Sequence, residues 1–114
     1  SVSPARNRPA RNGWTRSGHR IEVSGEIDAA NATVLGTRIA AAFGDGVTVV
    51  DLTEVTFFSA AGLRALLRLG PIATEHGITV RVSCSPQVWR VIDLCGIPPV
   101  PGLELEAPIE GAEP

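Results

Sequence analysis

Ser59 is the residue whose hydroxyl and position could support chemistry. It is a single serine between the aromatic run VTFF and the helix-forming run AAGLRALL. A serine nucleophile of the α/β-hydrolase type stands in a Gly-x-Ser-x-Gly turn, and the stretch FFSAAG lacks the first of those glycines. Serine is also among the best helix N-caps. The spacing therefore favours a cap over a nucleophile and leaves a modifiable hydroxyl as the alternative.

The remaining titratable residues do not form a catalytic set. Asp51 ends a predicted buried strand, where its expected role is to accept backbone hydrogen bonds from the next turn. Asp28 and Glu26 could act as an acid–base pair. The simpler interpretation is that Asp28 caps a helix and Glu26 is a surface charge. His19 falls in a predicted turn, and His76 at a helix C-terminus, where a cation is favourable. We therefore expect no catalysis.

The two cysteines do not indicate a metal or a disulfide framework. Neither Cys84 nor Cys95 belongs to a CxxC, and the chain has only two histidines to complete a zinc site. Both cysteines fall on apolar faces, which predicts small core side chains, and a redox pair would need Cα atoms within about 7 Å. No Walker loop or GxGxxG follows a strand, so we expect neither cofactor nor metal.

Bulk composition indicates one globular domain. The chain has 114 residues, of which 44% are hydrophobic and 19% charged. No apolar run approaches the roughly 18–20 residues that span a bilayer, and no apolar segment follows the basic N-terminus. These features predict no membrane association and a cytoplasmic location.

Charge is uneven along the chain. The first twenty residues hold half of the ten basic residues and no acid, namely Arg6, Arg8, Arg11, Arg16 and Arg20. Such a segment could touch nucleic acid or an acidic partner, but a solvated terminus is the simpler interpretation, so we expect no nucleic acid. The predicted organisation is a flexible arm over residues 1–13, a folded domain over 14–107 and an acidic tail over 108–114.

Strands and helices alternate in the predicted domain. Strands are expected at 14–16, in RIEVSG, VTVVDL and ITVRVSC, and at 103–105, because their residues alternate or are β-branched. Helices are expected after Asp28 as N-cap, after Ser59 with a kink or early break at Pro71, and over SPQVWRVIDLCG with Ser85 as N-cap. The pattern predicts a single α/β domain with a mixed sheet of four to five strands and helices packed largely on one face.

Several of these stretches resemble a known family. VVDLTEVTFFSAAGLRALL is similar to the signature of STAS domains, and VSGEIDAANATVL and ITVRVSCSPQVWRVIDLCGI resemble further segments of the same domains. Together they cover about residues 20–100. Members of that family include anti-sigma factor antagonists, whose usual task is binding and not catalysis. An unmodified antagonist docks on a GHKL-type anti-sigma kinase, and phosphorylation by that kinase releases it.

The resemblance implies a site at the start of the second helix. The family pattern Asp-Ser-Ser/Ala-Gly-Leu falls on positions 59–63, which puts the usual acceptor serine at Ala60 and its acidic neighbour at Ser59. Ala60 has no hydroxyl to phosphorylate, so either this switch is lost or Ser59 takes it over. The implied partner-binding residues are Asp28, Phe58, Ser59, Ala60, Ala61, Gly62, Leu63 and Arg64.

Other functions stay open beside the antagonist. One is a STAS-type accessory subunit or domain that docks on a transporter ATPase, and another is an inert module of a larger regulator. Phe57 and Phe58 should face opposite sides of their strand, so that one is core and the other is exposed near the helix entrance. The exposed one could anchor a partner.

Overall fold

The computed structural model describes residues 12–109, so the predicted arm lies outside the described residues except for Asn12 and Gly13. Most of the predicted acidic tail lies outside them as well. Five strands are formed, β1 (Asn12–Ser17), β2 (Arg20–Ile27), β3 (Val49–Phe58), β4 (Val80–Cys84) and β5 (Leu103–Glu106). Three helices join them, α1 (Ala32–Phe43), α2 (Ala60–Glu75) and α3 (Pro86–Cys95).

The strands form one mixed sheet in the order β1-β2-β3-β4-β5. β1 runs antiparallel to β2 through the two-residue turn Gly18-His19, one position later than the predicted Ser17-Gly18 turn, and the remaining neighbours are parallel. Each parallel pair is joined through a helix, as crossover connections require. The predicted α/β class and the five-stranded mixed sheet are confirmed.

One face of the sheet is covered and the other is open. Inward-facing strand residues such as Ile21, Val50 and Val82 are fully buried against the helices. The helices supply Leu35, Ile39, Leu63, Leu66, Leu69, Val88 and Ile92 to the same core. The alternate strand residues, among them Glu22 and Arg81, are exposed on the opposite side. We call that side the open face.

Helix α3 forms as its signals predict. The Ser85 hydroxyl accepts a hydrogen bond from the backbone N–H of Val88 at 3.2 Å, and Pro86 occupies the first turn, where no donor is needed. Gly96 ends the helix with a positive φ of 60°, which glycine adopts without strain.

Three predictions about individual residues are wrong. Asn31, not Asp28, is the N-cap of α1. Of the predicted kink or early break at Pro71, the early break is wrong: helix α2 runs through Pro71 to Glu75, and Pro71 is exposed, where water can hydrate the carbonyl that proline leaves without a donor. Cys95 is exposed at the end of α3, since the buried stripe of that helix is only Val88 and Ile92.

Candidate partner-binding site

The entrance to α2 is held by Ser59. Its backbone is extended (φ −93°, ψ 172°), and its hydroxyl oxygen accepts a hydrogen bond from the backbone N–H of Gly62 at 3.2 Å. Its carbonyl accepts the first helical bond from Leu63 at 3.0 Å. Ser59 is therefore an N-cap, as its position before two alanines predicts.

The loop between β2 and α1 lies beside this entrance. The backbone N–H of Ser59 donates to the carbonyl of Ile27 at 3.0 Å, which joins the ends of β2 and β3. Asp28, the next residue, accepts hydrogen bonds from the N–H groups of Ala30 (2.9 Å) and Asn31 (3.2 Å) through one carboxylate oxygen. Asp28 thus fixes the loop as an Asx turn instead of capping α1.

Gly62 allows α2 to approach the sheet closely. A Cβ at this position would lie 2.9 Å from a ring carbon of Phe58 and 3.1 Å from a methyl carbon of Ile27. Both neighbours are buried and have little room to move. The glycine of the motif is therefore a packing requirement that holds the first turn of α2 against the ends of β2 and β3.

The predicted site residues come together in space but differ in exposure. Ala60 and Arg64 are exposed, and Asp28, Ser59 and Ala61 are partly buried. Phe58, Gly62 and Leu63 are buried, with Phe58 only 6% exposed. This corrects the expectation that Phe58 contacts a partner, because its side chain belongs to the core.

Phe57 is the exposed aromatic of the pair. It is 50% exposed and lies opposite Glu26 of β2, so its ring points to the open face. The prediction that one phenylalanine is core and the other exposed is confirmed. The register between β2 and β3 shifts twice, which gives β3 two extra residues before Phe58. Such bulges bend a strand and re-aim its side chains, and the alternation pattern did not reveal them.

Short, uncharged side chains form most of the surface around the α2 entrance, and Arg64 is the charged residue at its edge. Ala29 and Ala30 of the neighbouring loop are exposed, and so is Ala60, which follows Ser59. We call Ala29, Ala30, Ser59, Ala60, Ala61 and Arg64 the entrance surface. Short side chains let a partner approach the backbone closely. A charge introduced there would lose its hydration when a partner covers it, which would weaken binding.

The core beneath this surface leaves little space for a ligand. An apolar cavity of about 20 Å³ lies between α1, α2 and the sheet and is lined by residues that include Ile27, Leu35, Phe58 and Leu66. That volume is close to the minimum for one water molecule, and an apolar lining offers a water no partners. The cavity is a packing defect and not a binding site.

The open face carries a row of ion pairs that sequence reasoning missed. Arg20 pairs with both Glu22 and Asp51, and Arg81 pairs with Glu104 and Glu106. Arg20 and Glu22 lie two positions apart on the same strand. The residues of the other pairs are separated in sequence by up to 31 positions, so only the strand order brings those together. Register in adjacent parallel strands is the signal that could have found them.

Asp51 is the most buried member of that row. Burial raises the pKa of its carboxyl, but the hydrogen bonds from Thr53 together with the charge and hydrogen bond of Arg20 outweigh burial and hold the pKa below its ordinary value. One oxygen accepts from the backbone N–H of Thr53 at 2.8 Å and from its hydroxyl at 2.6 Å. The predicted backbone role of Asp51 is confirmed, at a bulge within β3 instead of a turn.

The cysteines occupy different environments. Cys84 is buried at the end of β4, and burial raises the pKa of its thiol to about 12. The thiolate, which is the reactive form, is therefore scarce at neutral pH. Cys95 is exposed, and both are free thiols.

No group of three or more His, Cys, Asp or Glu side chains within residues 12–109 could hold a metal ion. Over the same range, no helix is long and apolar enough to cross a membrane.

Comparison with known proteins establishes the family. Residues 10–97 match the family model described as "Mlab, STAS domain". The chain belongs to the STAS domain family. The resemblance seen in the sequence is thereby confirmed over most of the chain.

One solved structure is similar to this chain in fold and in sequence. It is an anti-sigma factor antagonist from Mycobacterium paratuberculosis, 26% identical to this chain, with a TM-score of 0.56. The similarity covers 75% of this STAS domain chain and 76% of the antagonist. No curated protein matches the chain.

Proposed function

We propose that this STAS domain protein is an anti-sigma factor antagonist that binds an anti-sigma factor of the GHKL kinase type. The observation that supports the proposal most directly is the entrance surface, where Ser59, Ala60 and Ala61 occupy the first three positions of the family motif. The similarity to a solved anti-sigma factor antagonist adds to it. The function is binding and not catalysis, and it would be carried out in the cytoplasm.

The proposal includes the loss of the usual phosphorylation switch. Ala60, at the acceptor position, is exposed and has no hydroxyl. A phosphoryl group there would add about −1.5 to −2 charge to the entrance surface. The hydroxyl of Ser59 is used as the acceptor of the Gly62 hydrogen bond, which favours a capping role over a role as substitute acceptor.

The experiment compares binding of the purified kinase with and without ATP. The native chain should bind equally well in both conditions, and mass spectrometry should find no phosphate on Ser59. The matched variant is Ala60→Ser, which restores a hydroxyl at the acceptor position without adding charge. It should bind without ATP and be released once ATP is supplied. Phosphate on Ser59 of the native chain, with release by ATP, would contradict the loss of the switch.

A second candidate function is an accessory subunit that docks on a transporter ATPase. Two observations favour it: the family model that matches is described as "Mlab, STAS domain", and the acceptor position holds Ala60, which suits a partner held permanently. Purified candidate partners separate the two functions. Binding to a GHKL anti-sigma kinase supports the antagonist, and binding to an ABC-type ATPase supports the subunit.

A further inference from the structure

The open face carries more carboxylates than arginines among the residues that the structure describes. Its acidic side chains are Glu22, Glu26, Asp51, Glu54, Glu104 and Glu106, and its basic ones are Arg20 and Arg81. No helix formed by residues 12–109 covers it. This side of the sheet is therefore an acidic surface of the folded domain.

A trough of about 410 Å³ runs along the β1 side of this face. It is lined by Gly13, Thr15, Glu22, Ser24, Asp51 and Glu54, among others. The Asp51 carboxylate is engaged by Arg20 and Thr53. Glu22 is 55% exposed and has one contact with Arg20 at 3.2 Å. Glu54 is exposed and has no ion pair with any other residue of the described range.

We propose that this trough binds an arginine-rich segment and that its occupant is the N-terminal segment of the same chain, residues 1–11. That segment contains Arg6, Arg8 and Arg11 and no acidic residue, so its charge complements the trough. The inference goes beyond the proposed function, because it concerns the face of the sheet opposite the helices and needs no anti-sigma partner.

The attachment point of the segment lies at the trough. β1 begins at Asn12, which pairs with Gly25 of β2, and the next residue, Gly13, lines the trough. A Cβ at position 13 would lie 2.6 Å from the Ser24 hydroxyl oxygen, so glycine lets β1 pass close to this polar wall. A tethered segment meets its site at an effective concentration in the millimolar range, about what a weak electrostatic contact needs.

The chemistry of the face suits guanidinium groups. Arginine forks bind carboxylates through paired hydrogen bonds, and Glu22 and Glu54 present such carboxylates at the trough. Phe57 exposes half of its surface on the same face, opposite Glu26, and an arginine can stack on an aromatic ring. Lysine, absent from this chain, would form only the ion pairs.

The first test is an amide NMR comparison of the full chain with the variant R6Q/R8Q/R11Q. The amide signals of Glu22, Ser24, Thr53 and Glu54 should shift, and those of the helices should not. The difference should shrink between about 0.1 M and 1 M salt, over which the screening length falls from about 10 Å to about 3 Å. The control R38Q/R68Q/R90Q makes the same charge change on exposed helical positions and should leave the open face unshifted.

The second test adds a synthetic peptide of residues 1–11 to R6Q/R8Q/R11Q, whose own segment no longer competes. The peptide should move the same open-face signals, and E22Q/E54Q in that background should weaken it by about two- to tenfold, as expected for exposed ion pairs. Three results would overturn the proposal: no open-face shift in R6Q/R8Q/R11Q, equal peptide affinity after E22Q/E54Q, or shifts that grow with protein concentration. The last result would assign the occupant to a second copy.

Discussion

The entrance surface and the open face are built on opposite principles. At the entrance surface, short side chains and the Gly62 contact bring a helix close to the sheet, and the exposed Ala60 carries no charge. On the open face, long arginine side chains such as Arg20 and Arg81 are held in place by ion pairs with carboxylates of the same face. The first region therefore depends on steric fit and the second on charge, and substitutions should separate the two.

The largest expected difference lies between the two adjacent phenylalanines. Phe58→Ala removes a ring that is 6% exposed and leaves a cavity, which should lower the free energy of unfolding by about 3–5 kcal/mol. Phe57→Ala removes a ring that is 50% exposed and should cost less than about 1 kcal/mol. Urea denaturation of both variants measures this. Equal losses of unfolding free energy in the two variants would contradict the assignment of Phe58 to the core and Phe57 to the surface.

The close approach at the entrance surface should be the next most sensitive feature. Gly62→Val adds a branched side chain at a position where even a Cβ atom would lie 2.9 Å from a ring carbon of Phe58. We therefore expect the free energy of unfolding to fall by about 1–3 kcal/mol. Ala60→Val is the control, because it adds the same kind of side chain at an exposed position of the same turn. Its cost should stay near the helix propensity of valine, about 0.5 kcal/mol. A Gly62→Val variant as stable as this control would refute the packing role.

On the open face, Asp51→Asn should cost about 1 kcal/mol near neutral pH, the net value of hydrogen bonds at a partly solvated site. The pKa of Asp51 is held below its ordinary value, so its contribution is complete above about pH 4 and is lost as the pH falls through the folded-state pKa. The native chain should therefore lose stability over that acid range more steeply than Asp51→Asn. Thermal denaturation across pH 2–7, roughly the range in which carboxylates titrate, measures both curves. Parallel curves would show that Asp51 has no stabilising pKa shift.

The smallest effect is expected from Arg81→Gln, because Arg81 is exposed and its pairs with Glu104 and Glu106 are solvated. The melting temperature should fall slightly at low salt and match that of the native chain at about 1 M salt, where the screening length is about 3 Å. The same substitution at Arg68, which is exposed on α2 away from the sheet, serves as control. A loss that persists at high salt would mean that Arg81 stabilises the sheet by packing.

The sequence predicted the elements of this fold better than the contacts between them. Local signals were sufficient for α3, where Ser85, Pro86 and Gly96 each have one conformational role. They failed at Asp28, because a carboxylate can fix an Asx turn as readily as it caps a helix. They also failed at Cys95, because periodicity places a residue on a helical stripe without showing where the partner surface ends.

The two surfaces differed in how far the sequence could predict them. Four of the six residues of the entrance surface lie between Ser59 and Arg64, so a local motif points to that part of it. The ion pairs of the open face join Arg20 to Asp51 and Arg81 to Glu106, and they depend on strand order and on the register shifts of β3. The local sequence pattern contains neither the strand order nor the register shifts.

The central proposal is that the entrance surface binds an anti-sigma factor of the GHKL kinase type. Calorimetric titration of the purified GHKL anti-sigma kinase tests it most directly, with Ala60→Glu compared to Ala41→Glu, which makes the same change at an exposed position of α1. Ala60→Glu should weaken binding at least tenfold, or about 1.4 kcal/mol, because it adds a bulky carboxylate whose hydration is lost when the partner covers it. Ala41→Glu should bind as the native chain does. Equal affinity of Ala60→Glu and the native chain would contradict the account.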